Sequence, residues 1–399
     1  MRWANEIYIA VDNLTDLPVI SLCYCMGVRQ FSSFISRIDT RFLLLVLILL
    51  GFGLTILYSA SSVLATDKFQ DSLYFLKRQA FFSLIGFILM TWVASSSSRA
   101  WLSFSFYFLI ISLFCLLLTY VPAFSLETKG AARWIRIFSF QFQPVELLKL
   151  AWVLFLSHYL PLEKSSSERT FYEKPLTVIV LWLLSVVATL YQPDFGNAFL
   201  LCLITFGMLF LSGLSLKLML SVGFLGALSA VIVVFQEDYR RRRLLSFLDP
   251  WSDPQNASYQ IIQSFTAFHS GGWWGKGLGN SQEKLYFLPE VHTDFIGSIV
   301  AEELGFFGFS LLLLLFFLFC QRGFRISKNA LRSETYLLAS GITLMFSAQI
   351  LFNLFVILGL LPTKGIPLPF LSHGGSSLMA SMVMVGFLML VAKESRYHV

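Results

Sequence analysis

The chain alternates long apolar runs with short polar connections. Apolar stretches fall at about 42–62, 79–96, 101–121, 145–160, 175–191, 196–213, 215–235, 294–320, 335–358 and 368–392. Most approach the ~17–25 residues that a helix needs to cross hydrocarbon, where a helix satisfies its own backbone polar groups. The pattern therefore predicts an all-α polytopic membrane protein with ten transmembrane helices. An even number of spans puts both termini on one side. The runs at 145–160 and 175–191 are short, and only Gly213-Leu214-Ser215-Leu216-Lys217 separates the sixth from the seventh. A long polar loop, 236–293, lies between the seventh and eighth. Residues 1–36 form a mixed N-terminal arm without a signal-peptide pattern, 37–393 the membrane domain and 394–399 a short tail.

Composition sharpens this. Of 399 residues, 56% are hydrophobic and 13% charged, which excludes a soluble globular domain of this length. Cys115, Cys202 and Cys320 sit in or beside apolar runs, and Cys23 and Cys25 form a lone C-x-C. Neither zinc-ligand spacing nor a disulfide framework is expected. Lys and Arg near the span ends favour one side about two to one, which predicts cytoplasmic termini and an outward-facing 236–293 loop.

That orientation leaves cations on the wrong side. Arg240 to Arg243, Lys276 and Lys284 lie in the outward loop, and Lys129, Arg133 and Arg136 in the first outer connection. An anion at the headgroup level, such as the phosphate or pyrophosphate of a lipid, would account for them, because Arg forks bind phosphate oxygens bidentately. The simpler reading is local pairing with Glu237, Asp238, Asp249, Asp253, Glu283 and Glu290. A nucleic-acid partner is excluded on an outer face.

Three further patterns carry chemistry. Pro144 suits a first helical position, and Glu146 and Lys149 then share one face of an apolar helix, either neutralising each other or lining a polar cavity. The segment 361–370, with Pro362, Pro367 and Pro369, cannot be continuous helix, and it leads into Ser372-His373-Gly374-Gly375. His292-Thr293-Asp294 enters the eighth run, where it either caps the helix or places an acid at the lip of the hydrocarbon. Trp273 and Trp274 fit an interfacial belt. Glu302 and Glu303 lie about two turns past Asp294, too far for a direct dyad.

Taken together, GAARWI, FQPVELLKL, QPDFGNA, RRRRLLSFLDPWSDP, GLGNS, LPEVHTDFI with AEELG, and LPTKGIPLPFLSHGGSS resemble the SEDS family (shape, elongation, division and sporulation) from about 38 to 393. SFLDPWSDP, GLGNSQEKL and LPTKG lean towards its division branch, and FLSGLS towards the elongation branch. Val145 and His373 stand where Ser and Tyr are usual. The resemblance implies a ten-span glycosyltransferase that polymerises lipid II at the outer face of the cytoplasmic membrane, at the division septum. Its implied partners are a class B penicillin-binding protein, other division-complex membrane proteins and membrane lipids. It implies Asp294 as the catalytic acid–base residue and a functional use of Arg133, Glu146, Lys149 and Arg243; Lys364 and Ser372 complete the candidate substrate-binding set. Chemically, Asp294 would take the proton of an acceptor hydroxyl while cations hold the leaving pyrophosphate. No cofactor is required, although a divalent cation such as Mg or Mn could share that work; no dedicated ligand cluster is evident. His292 is the competing base. A lipid II flippase is the rival function, since intramembrane charge and broken backbone also suit a translocation path.

Overall fold

A computed structural model describes residues 39–122, 124–128, 131–137, 140–160, 175–214, 217, 249–252, 254, 258–289, 291–363 and 365–396. The seventh apolar run, the Arg240 to Arg243 cluster and Lys364 lie outside the described residues.

The described helices are α1 (Thr40–Phe69), α2 (Tyr74–Ser95), α3 (Ser98–Leu118), α4 (Pro144–Tyr159), α5 (Pro175–Tyr191), α6 (Phe195–Leu211), α7 (Tyr259–Gly271), α8 (Ile296–Lys328), α9 (Ser333–Ile357) and α10 (Gly375–Arg396). By length and composition, six of them (α1, α2, α3, α8, α9 and α10) can cross a membrane, and α5 and α6 are shorter apolar helices. Pro144 occupies the first turn of α4, as its fixed φ predicts.

Expectation and structure part company in the connection between α3 and α4. Instead of pure helix and loop, it folds into three antiparallel strands: β1 (Ser125–Thr128), β2 (Ala131–Ile137) and β3 (Phe140–Phe142). Ile135 pairs with both Ser125 and Phe142 and is buried, while its neighbour Arg136 is exposed. The sheet leads directly into α4.

Burial sorts the helices into centre and rim. Nearly every residue of α4 is buried, as are most of α9 and α10. Helices apolar on all sides belong inside a bundle. The rim helices keep an exposed apolar face, with Leu84 of α2 61% and Leu176 of α5 71% exposed, which fits a hydrocarbon surround. α2 packs closely on α10, α3 on α4, and α8 on both α9 and α7.

Bonds between helix ends give the up-and-down order. At one end, Arg322 late in α8 binds Asp39 before α1 at 2.7 Å, and Arg332 before α9 binds Glu394 late in α10 at 3.1 Å. Glu394 also accepts from Ser98 Oγ at the start of α3 at 2.7 Å. At the other end, Gln192 after α5 donates to Leu116 O of α3, and Asp194 caps α6 through Asn197 N. The run Gln192-Pro193-Asp194-Phe195-Gly196-Asn197, rich in turn-forming residues, makes a tight re-entry between α5 and α6.

α8 is not continuous. Gly305 breaks it at φ 66°, and the 271–277 segment is wedged into the gap. Lys276 N donates to Glu302 O, Gly277 N to Glu303 O and Phe306 N to Gly272 O. A Cβ at Gly305 would lie 2.3 Å from Gly275 N, so neither backbone leaves room for a side chain.

Candidate active site

This interlock reassigns two of the outward cations. Lys276 binds Glu302 at 2.8 Å and Lys284 binds Glu303 at 3.4 Å, while both carboxylates are fully buried. Ser59 of α1 donates to Glu303 at 2.6 Å, and Gln282 N to Glu302 at 3.0 Å. Lys276 and Lys284 are therefore taken up internally, against the expectation of an anion site, because buried carboxylates demand compensating charge. Their partners are not the loop acids nearest in sequence but Glu302 and Glu303, which also removes those two from any dyad with Asp294. Trp273 and Trp274 stand exposed over Phe306 and Phe307, with the Trp274–Phe307 ring centroids 4.7 Å apart. Glu283, buried beside the charge of Glu302, has its carboxyl pushed up to about 7.

Asp294 is the last-but-one residue before α8 and is partly exposed. Its carbonyl accepts from Asn353 Nδ2 of α9 at 2.8 Å, and the same nitrogen donates to Ile366 O at 2.9 Å. Its carboxylate lies over Gly365, where an added Cβ would come 3.2 Å from Oδ2. A glycine at 365 leaves the space that the carboxylate occupies. The preceding residues are tied as well. Ser372 Oγ donates to Thr293 O at 2.5 Å and accepts from Leu368 N at 2.8 Å, and His373 N donates to His292 O at 2.8 Å. Gln79 of α2 closes the knot by donating to Ser372 O at 3.1 Å and accepting from Gly374 N at 3.3 Å.

The broken 365–374 segment is thus the scaffold on which Asp294 rests, and most of 366–372 is buried in protein, whereas Leu358, Leu360 and Gly365 are exposed. Phe370 adopts φ 66° with its carbonyl against Gly53 of α1. Ser372, a candidate for substrate binding, has its hydroxyl engaged as both donor and acceptor within this scaffold. His292 packs its ring against Phe75 and His373, with centroids 5.1 Å and 5.9 Å away.

Glu146 and Lys149 form a buried pair at 2.8 Å, with side chains 1% and 0% exposed. Among the described residues Glu146 Oε2 has no hydrogen-bond partner. α10, which starts just after Ser372-His373-Gly374, packs on both β3 and α4. The pair and the Asp294 scaffold therefore border a common helix. Arg133, on β2, donates from Nε to Gln192 O at 3.2 Å and from Nη2 to Pro193 O at 2.6 Å, so it clamps the α5–α6 turn. Arg243 and Lys364 lie outside the described residues. Among the described residues, no group of three or more His, Cys, Asp or Glu is placed to hold a metal ion.

Gln79, Gln349 and Asn353 escaped the sequence reading. Each is an amide inside an apolar run, and Gln349 and Asn353 are four apart on one helix face. That spacing was the available signal.

Apolar rim helices, a charged pair buried in the centre and an acid on a knotted, non-helical scaffold at one end define a multi-pass membrane protein with a polar site. The chain belongs to the FtsW/RodA/SpoVE family of cell cycle proteins, whose sequence profile matches residues 40–397. It is 39% identical over 358 residues to a probable peptidoglycan glycosyltransferase FtsW of Geobacter sulfurreducens, covering 90% of this chain and 96% of that one. It is 38% identical over 359 residues to the stage V sporulation protein E of Bacillus subtilis, covering 90% and 98%. Among solved structures, a chain of a peptidoglycan synthase complex superposes with a TM-score of 0.75 at 30% identity, covering 90% and 98%. The rod shape determining protein RodA of Thermus thermophilus gives 0.66 at 27%, covering 90% and 97%.

Proposed function

We propose that this chain is a peptidoglycan glycosyltransferase that polymerises lipid II at the outer face of the cytoplasmic membrane, with Asp294 as general base. Asp294 takes the proton from the acceptor sugar's hydroxyl as that oxygen bonds to the donor's anomeric carbon. The bond from that carbon to the lipid pyrophosphate breaks, and the pyrophosphate leaves with the electron pair. A positioned base contributes about 10²–10⁴-fold to such a step. Arg133, Lys149, Arg243 and Lys364 are the cations assigned to the pyrophosphate, whose growing charge rewards preorganised partners.

The observation that carries this reading is the anchoring of the Asp294 segment. The carbonyls of His292, Thr293 and Asp294 each accept from a separate donor, on His373, Ser372 and Asn353. A chain that needed Thr293 or Asp294 only as a helix cap would not need three long-range ties; the N-cap position of α8 falls on Phe295, with no side-chain cap bond. The relatives named as glycosyltransferases support the chemistry. The complex among the structural neighbours supports a cross-linking partner, assigned here as a class B penicillin-binding protein. Ten spans, cytoplasmic termini, an outward 236–293 loop and a septal location complete the proposal; the order of the bonded helix ends supports the alternation.

The test is labelled lipid II supplied to the purified protein in bilayer vesicles, with and without its transpeptidase. Glycan strands are expected, and Asp294→Asn should lower their formation at least about 10²-fold while melting like the native protein. Native-rate polymerisation by Asp294→Asn removes Asp294 from the mechanism. Label crossing sealed vesicles without strand growth would instead support the flippase reading.

A further inference from the structure

We infer that Asn353 is a positioning residue for Asp294: one side-chain amide ties the acid's own backbone to the loop that faces its carboxylate. This rests on the reading of Asp294 as the base.

Asn353 lies on α9, is 1% exposed, and stands in sequence between the buried apolar residues Phe352 and Leu354. Its Nδ2 reaches Asp294 O at 2.8 Å and Ile366 O at 2.9 Å. Both acceptors are carbonyl oxygens, so the amide has a single workable orientation; reversed, it would set oxygen against two oxygens. Asp294 carries the carboxylate, and Gly365, next to Ile366, lies directly beneath it. The two protons of one nitrogen therefore fix the separation between the carboxylate and the surface it faces. Asn353 Oδ1 is buried with no partner among the described residues. An amide kept in an apolar helix with its acceptor unused is there for its donors.

Gln349, one turn earlier, supplies an internal control. Its Nε2 donates to Pro367 O at 2.9 Å, which holds the same loop; among the described residues Gln349 makes no hydrogen bond to the Asp294 segment. Loss of Gln349 loosens the loop, whereas loss of Asn353 loosens the loop and the acid together. A base acts only within a narrow geometry, and a misplacement of about 1 Å can cost about 10²-fold.

The test compares Asn353→Ala with Gln349→Ala in lipid II polymerisation, together with melting temperature. Asn353→Ala should lower kcat about 10²-fold with KM changed less than about threefold, because the lost interaction orients the base rather than binding substrate. The acid limb of its pH–rate profile should move, since the carboxylate changes surroundings. Gln349→Ala should lower kcat less than about tenfold with the acid limb in place. Should Asn353→Ala not purify folded, Asn353→Ser retains one donor and carries the same readouts with a smaller loss. Native kcat in the Asn353 variant, or an equal loss in both variants with neither limb moved, overturns the inference. Asp294→Asn is assayed alongside: if it keeps its activity, the failure belongs to the assignment of the base and not to Asn353.

Discussion

Lys149→Met is the most informative single perturbation of the bundle centre. The native pair places an ammonium 2.8 Å from Glu146 Oε1 with both side chains closed to solvent. Among the described residues, that carboxylate oxygen is the one hydrogen-bond partner of Lys149. Removing the ammonium leaves a carboxylate with 1% exposure and no compensating charge. Breaking a buried pair from one side costs about 3–5 kcal/mol, because the surviving charge keeps its full desolvation penalty. Met nearly matches the length of Lys, so a cavity adds little. The double variant Glu146→Gln/Lys149→Met removes that stranded charge. Replacing a whole buried pair with neutral groups is neutral or stabilising by about 1–4 kcal/mol. The double should therefore recover at least about 3 kcal/mol relative to Lys149→Met.

Equilibrium unfolding in mixed micelles, run on the native protein, both singles and the double, closes the cycle. A coupling below about 0.5 kcal/mol would refute the reasoning, since it would mean that the two charges are not desolvated together. The same four proteins, assayed with lipid II, then separate structure from chemistry. A double variant that is stable yet inactive assigns the charges to the substrate. One that is stable and active reduces the pair to mutual neutralisation.

Two other outcomes follow from the packing around Gly53 and from Glu283. Gly53→Ala places a Cβ 2.3 Å from Phe370 O and 3.0 Å from Leu371 Cα, both backbone; overpacking of this kind costs about 1–3 kcal/mol, and unchanged melting would show that the 370–372 seat is looser than described. Glu283 titrates higher in the folded protein, about 7 against 4.5, from burial and then the charge of Glu302. A raised carboxyl contributes stability that is complete below about pH 4.5 and is lost as pH rises through about 7. Protection of the 276–289 segment, corrected for the intrinsic pH dependence of amide exchange, should accordingly fall between pH 5 and 8, and Glu283→Gln should remove that fall. An unchanged slope in the variant would place the titration elsewhere.

The spans were legible because hydrocarbon enforces one rule over some twenty residues, and local composition records it. Pro144, the 192–197 turn and the interrupted 361–370 segment were legible for the same local reason. The β-sheet was not expected, although Ile135, Arg136 and Ile137 alternate apolar and polar as a half-buried strand does. The short strands lay inside a connection between strong apolar runs, where family-like motifs drew the reading to chemistry instead.

Most of the site's construction lies beyond local pattern. Gln79 meets Ser372 across 293 positions, and Ser59 meets Glu303 across 244. No periodicity in a window reports such a pair. The misassignment of Lys276 and Lys284 has the same origin: sequence neighbours offered six carboxylates, yet the two that pair are buried on α8. Folding selects the acids that water cannot reach, because those have most to gain from a cation. The same logic orders the proposed site. Buried carboxylates at 302 and 303 are compensated internally and hold the 276–284 segment against α8. Asp294, eight and nine positions earlier, is partly exposed and set at the edge of the scaffold. A carboxylate that must accept a substrate proton has to remain reachable, and among the described residues of α8 and its lead-in Asp294 is the acid whose placement allows it.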